Sequence, residues 1–361
     1  MAEKKNQHYV PQFYQRNFSD DGKTTGVFVL GISKYISASP IMNQASADYF
    51  YSKNLKIEDA ISKLEALANE AIDSVLTNPY NSKFLEREKD ALYVFVIIQL
   101  GRTLSQTKKL EAAIDALSKE TLRKILEKDR VSGRNEYAEI TDEVLESVRI
   151  GLTEPGLFAV GNFAKIVNLC RDLKCKVIIN KTAIPFITSD NPVCLTNQFL
   201  DKMKVDTNGL GQRGLQLLMP LSPLVAILYY DSEVYKVGSV SKQYVEITDK
   251  VEIEKINRML ASQANEILII PNGKEKVVNI LAYKREYDKF HTNPSVESVS
   301  MDTKDGNSAI IGIVSKRDGY KWNPQFIKYR PNYACIKKEH FDERKHLYRE
   351  IALMERMIQL K

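Results

Sequence analysis

Apolar positions recur every three to four residues in IEDAISKLEALANEAIDSVL. There Ile57, Ile61, Leu64, Ala68 and Ile72 form one stripe, which predicts an amphipathic helix. A second helical stretch, from about Glu86 to Lys128, contains ALYVFVIIQLG, apolar on nearly every side and so expected to be buried all round. A third helical block covers about Thr141 to Leu173. Ahead of these, Pro11 opens a short helix that SDDG closes, and TGVFVLGI and ADYFYS read as extended pieces. Near Lys176 the period changes. KVIIN, PFITS, LQLLMPL and VAILYY are short β-rich runs separated by turn residues. DKVEIEKINRMLASQAN returns to the helical period, EILIIPN follows it, SAIIGIVS reads as hairpin-like, and an amphipathic helix ends the chain from about Lys338. Helices in one block and strands mostly in another predict an α+β fold, with an N-terminal helical block packed on a C-terminal mixed or antiparallel sheet. The expected division is a mainly helical lobe over 1–175, with an N-terminal hairpin, and a β-rich lobe over 176–361, the two packed closely or fused into one domain.

Composition alters this picture little. With 361 residues, 43% hydrophobic and 27% charged, the chain is ordinary for a water-soluble protein. The longest apolar run is about half a membrane span, and Met1-Ala-Glu-Lys-Lys has no apolar signal core. Cys170, Cys175, Cys194 and Cys335 show no metal-type or disulfide-type spacing, which points to reduced thiols in the cytoplasm. The net charge of +6 sits at the end: 316–361 carries twelve Lys/Arg against six Asp/Glu. An acidic partner, if there is one, belongs there.

Candidate chemistry lies in four places. The opening NQHYVPQFYQRNFS puts His8, Arg16 and several aromatics just before and within the first short helix. A helix N-terminus lowers the pKa of an imidazole, which suits a general base. On the buried helix, Gln99 and Arg102 are three apart and share a face; Arg102 either reaches water at the helix end or takes a carboxylate into the core, with Glu65 within the choices. FITSDNPV sends Asp190 and Asn191 off the end of a core strand, either into a cleft or into an Asx turn. RDGYKWNPQFIKYRPNY interleaves Lys321, Lys328 and Arg330 with aromatics including Trp322, a pattern that suits nucleic acid but equally an ordinary strand pair with a basic outer face. There is no GxGxxG, P-loop or HExxH motif.

HYVPQFYQRNFS, ISKLEALANEA, VIIQLGRT, FITSDNPV, LMPLSPLVAILYY and VEIEKINRMLASQANEILI occur in an order and spacing that resemble the domain-of-unknown-function 4238 family over about residues 6 to 271. The recurring positions of that family fall on His8, Pro11, Arg16, Glu65, Gln99, Arg102, Asp190, Asn191, Pro192, Ser222, Pro223 and Asn257. The resemblance implies that His8, Arg102 and Asp190 share a site; it implies no reaction.

Two functions are expected. The first is a hydrolase, a phosphodiesterase or nuclease. His8 acts as base or acid, and Asp190 with Glu65 binds a divalent cation such as Mg²⁺ or Mn²⁺. Arg102 stabilises the developing charge, and Arg16, Asn191, Gln99, Lys321, Trp322, Lys328 and Arg330 hold nucleic acid. The alternative is a non-catalytic module that binds a small anion or a protein partner, with the His/Arg/Asp cluster as a structural polar network. The terminal helix RKHLYREIALMERMIQLK is a candidate surface for a homo-oligomer.

Overall fold

The computed structural model describes residues 5–53, 55–81, 86–134, 137, 139–203, 209–290, 296–302, 308–315, 320–334 and 344. Its first elements are β1 (Asn6–His8), α1 (Gln12–Arg16), β2 (Thr24–Val29), β3 (Lys34–Pro40) and β4 (Ser46–Asp48). The helices α2 (Leu55–Thr77), α3 (Glu86–Gly101), α4 (Leu104–Val131), α5 (Asp142–Ser147) and α6 (Pro155–Lys165) follow. Next come β5 (Lys174–Asn180), β6 (Thr188–Ser189), β7 (Cys194–Thr196), α7 (Gln198–Met203), β8 (Gln216–Ser222), β9 (Val225–Tyr230), β10 (Tyr235–Val237) and β11 (Tyr244–Ile247). The last are α8 (Lys250–Gln263), β12 (Ile267–Ile270), α9 (Ile280–Phe290), β13 (Val296–Asp302), β14 (Ser308–Ser315), β15 (Ile327–Tyr329) and α10 (Pro331–Ala334).

The central sheet has the order β11-β5-β9-β8-β7, parallel only between β11 and β5. Its strands read as near-continuous apolar runs because both faces are covered. Val177, Ile179, Leu217, Met219, Ile227 and Tyr229 pack against α2 and α3. Their alternating neighbours Ile178, Leu218, Ala226 and Leu228 pack against α8 and α9. A second sheet, β3-β2-β12-β6, joins the start of the chain to its later half through the β2–β12 pair. α3 meets α2 on one side and α6 on another, which is why its apolar residues surround it.

The α+β class holds, but the expected layout of helices first and sheet second does not. Four strands precede the long helices α2, α3 and α4, with α1 between the first two, and β2 is built into a sheet with β12. The boundary expected at 175/176 falls inside β5. The helix expected over about Glu86–Lys128 is two helices. Thr103 ends the first and caps the second, its side chain accepting from the Gln106 amide. The terminal amphipathic helix lies outside the described residues apart from Arg344. That side chain is buried, bonds the Leu169 carbonyl at 2.6 Å and lies 2.9 Å from the Asp172 carboxylate. No described helix is long and apolar enough to cross a membrane.

Asn257 on α8 joins the central elements. Its oxygen accepts from the Ile187 amide at 3.1 Å, and its nitrogen donates to the Pro185 carbonyl and the Tyr283 hydroxyl at 2.9 and 3.1 Å. Asn257→Ala strands two buried main-chain groups and takes one of two partners from the Tyr283 hydroxyl, which keeps Glu254, and is expected to lower the unfolding free energy by roughly 2–4 kcal/mol in urea denaturation. A change within 0.5 kcal/mol would contradict this role.

Candidate functional site

The opening segment has little secondary structure of its own to satisfy its backbone. β1 pairs with β4, the amides of Tyr9 and Val10 both donate to the Ala45 carbonyl, and Pro11 has no amide. The three carbonyls of His8, Tyr9 and Val10 are met by side chains. Arg102 Nη2 donates to His8 O at 2.9 Å, Gln99 Nε2 to Tyr9 O at 2.9 Å and Gln15 Nε2 to Val10 O at 2.8 Å. Gln99 and Arg102 reach neighbouring carbonyls because residues three apart share a face of α3. Gln7 does the same one step earlier: its oxygen accepts from the Tyr51 amide at 2.8 Å and its nitrogen donates to Ser52 O at 2.8 Å.

Arg102 is 1% exposed although it closes the helix, so it does not reach water. Its Nη2 also meets Glu65 Oε1 at 2.6 Å, and its Nε donates to the Tyr51 hydroxyl at 2.8 Å. Tyr51 in turn donates to His8 O at 3.1 Å. His8, Glu65, Gln99 and Arg102 are therefore brought together, but it is the His8 carbonyl that Arg102 holds. The His8 imidazole is half-buried, 3.4 Å from Gln12 Nε2, and Gln12 Oε1 accepts from exposed Arg16 at 3.0 Å. Burial pushes the imidazole pKa below its usual 6.5; the carbonyls of Ile41 and Met42 and the Glu65 carboxylate oppose this, and Arg102 adds to it.

Asp190 belongs to a second cluster. It is 1% exposed, and its two oxygens accept from the amides of Asn265 and Glu266 at 2.9 and 2.7 Å, closing the turn between α8 and β12. Asn191 donates to Gln263 O at 2.8 Å and caps the end of α8. Burial pushes the Asp190 carboxyl up to about 6 against the pull of those amides. Tyr9 lies between the clusters: burial raises its phenol, and Asp190, Glu266 and Tyr51 raise it further. Ser222 makes the β8–β9 turn, its hydroxyl accepting from Val225 N at 3.2 Å.

Several expectations are corrected by this geometry. Asp190 and Glu65 do not suit Mg²⁺ or Mn²⁺ as a pair: the first is spent on two main-chain amides and the second on a guanidinium. Among the described residues no group of three or more His, Cys, Asp or Glu side chains is arranged to hold a metal ion. Asp190 and Asn191 follow neither expected alternative: their buried side chains form no local Asx turn and instead bond the distant main chain at 263–266. Trp322 is 1% exposed in the core against Phe326 and offers no stacking face, whereas Lys321, Lys328 and Arg330 point outward. Tyr51, Gln7 and Gln15 were not singled out in the sequence, although Gln recurs at 7, 12 and 15 around HYVP.

The structure holds one feature the motifs do not mark. A cavity of about 440 Å³ opens where α3 begins, between β5, β9, β10 and Arg330. Its lining includes Lys89, Arg171, Lys174, Lys176, Lys236 and Arg330 against two carboxylates, Glu88 and Asp90. Asp90 is paired with Arg171 at 2.9 Å. Lys176 is 5% exposed and its ammonium is held by the carbonyls of Ser239, at 2.8 Å, and Lys242. Burial lowers its pKa from the usual 10.5. β11 begins opposite Val177, so the edge of β5 before that residue has no strand beside it, and the cavity wraps this edge.

The chain belongs to the family described as protein of unknown function (DUF4238), whose profile matches residues 6–274. No curated protein and no solved structure matches it. Of the cavity lining, Arg330 alone lies beyond the matched span.

Arg102→Ala is expected to cost about 3 kcal/mol in urea unfolding, since it empties a buried site, leaves Glu65 without its cation and leaves the His8 carbonyl with Tyr51 as its one side-chain donor. Glu65→Gln should cost about 1 kcal/mol, because the amide oxygen still accepts. Equal effects would contradict the assignment. Asp190 gives a pH test. Its folded pKa of about 6 lies above the usual 3.8, so between those values the folded state holds the proton that the unfolded state releases. Stability relative to Asp190→Asn should fall as pH rises from about 4 to about 6. A rise through that window, as for a salt-bridged carboxylate, would refute it.

Proposed function

We propose that this member of the DUF4238 family is a binding module for a small anionic ligand, taken up in the cavity at the open edge of β5. The His8, Glu65, Arg102 and Asp190 clusters then hold the fold that shapes it. The observation that carries the reading is the lining: six Lys/Arg against two carboxylates in about 440 Å³. That volume is within the roughly 300–1,000 Å³ of small-molecule sites. Lys176 is fixed there without a carboxylate among its bonds to Ser239 and Lys242, so a positive charge is kept in a partly desolvated place. Desolvated charge attracts an anion more strongly than the same charge in water.

The competing proposal is hydrolysis of a phosphodiester at His8. Its support is the half-buried imidazole that burial keeps neutral. Its weakness is that Glu65 and Asp190 are already committed to Arg102 and to main-chain amides.

Calorimetric titration of the full chain with inorganic phosphate separates the two. The binding reading expects saturable heat with Kd below about 1 mM, weakening as salt rises. Charge reversal at Lys236 and Arg330 should weaken it about tenfold or more, with His8→Ala unchanged. No saturable heat, or heat unaffected by the reversal, would overturn it. Cleavage of RNA or DNA that is lost in His8→Ala would establish the competing proposal instead.

A further inference from the structure

The cavity is not uniform, and the strand geometry says why. Successive residues of β5 face opposite sides of the sheet. Cys175 shares the helix-facing side with Val177, where Leu92, Tyr93, Leu173, Ile227 and Tyr229 belong to one apolar core. Lys174 and Lys176 face the other side. There, exposed Lys236 on β10 and Arg330 after β15 complete a cationic end, and Lys174 is paired in register with Tyr230. Because β11 stops short, the two sides are continuous around the strand edge. The helix-facing part of the cavity therefore has an apolar and aromatic floor, with Tyr93 and Tyr229 edge-to-face at 5.8 Å, under a charged rim where Arg171 lies 5.4 Å over the Tyr93 ring and pairs with Asp90, and the other part carries Lys174, Lys176, Lys236 and Arg330 beside Tyr230 and Val237.

Resting on the binding reading above, we infer that the ligand is a ring-bearing phosphate of nucleoside-monophosphate size. Its phosphate lies among Lys174, Lys176, Lys236 and Arg330, and its flat body lies against Leu173 and the Tyr93–Tyr229 pair. A simple anion uses only the cationic half. A neutral nucleoside uses only the apolar half and lacks the charge that the lysines require. Only a ligand with both parts fills the space.

The test titrates the full chain with inorganic phosphate, adenosine monophosphate and adenosine in parallel, so that phosphate charge is matched with and without the ring. The expected result is that adenosine monophosphate binds at least about tenfold more tightly than either phosphate or adenosine. Leu173→Ala should bring the monophosphate close to phosphate while leaving phosphate affinity within twofold, which also reports that the fold is intact. Lys236→Ala and Arg330→Ala should weaken phosphate and monophosphate by the same factor. Equal affinity for phosphate and monophosphate in the unaltered chain would overturn this inference and leave the binding reading standing. Absence of binding by all three probes would overturn both.

Discussion

The fold depends on how one short piece of main chain is held. Residues 8–10 run into a proline and leave three consecutive carbonyls without a strand partner, and Arg102, Gln99 and Gln15 supply the donors. An unmet carbonyl in this buried place costs on the order of 1–3 kcal/mol. These three bonds therefore fix the N-terminal segment against α3 and fix its neighbours with it. Tyr14 follows directly: its hydroxyl is 2.6 Å from Thr188 Oγ1 on β6 and donates to Pro220 O on β8 at 2.7 Å. The same segment thus ties the helices, the second sheet and the central sheet together.

Part of this was readable in the chain. The all-round apolar character of ALYVFVII gave a helix covered on every side, and LQLLMPL and VAILYY gave strands. Gln99 and Arg102 were legible as sharing one helix face, with Glu65 among the carboxylates that could meet Arg102, but the sequence left open whether the guanidinium reaches water. What was not legible is that Arg102 reads the carbonyl of His8 instead of its ring, since carbonyl positions carry no signature in the side-chain pattern. The break at Thr103 did have one: Thr103 and Gln106 form a T-x-x-Q helix start within the long apolar-to-charged run.

The tail shows how alternation outranks composition. From Lys321 to Gln325 exposed and buried residues alternate, with Trp322 and Pro324 inward and Lys321, Asn323 and Gln325 outward. The interleaving of basic and aromatic residues is a strand-like in-and-out pattern, and the tryptophan belongs to the core. The cavity could not be seen at all in the sequence. Its cations come from residue 89, from 171–176, from 236 and from 330, and only the sheet brings them to one edge. Within KCKVIIN, though, the two lysines flanking Cys175 already lie on one side of the strand by period two.

Some polar residues hold backbone and others face a ligand, and amide hydrogen exchange of the full chain with and without adenosine monophosphate tests that division most directly. Added protection is expected only in the cavity segments, about 171–177 and 229–243, with the exchange of residues 6–16 and 99–103 unchanged. Protection appearing instead at residues 6–16 and 99–103, with the cavity segments unaffected, would contradict it and return the ligand to His8.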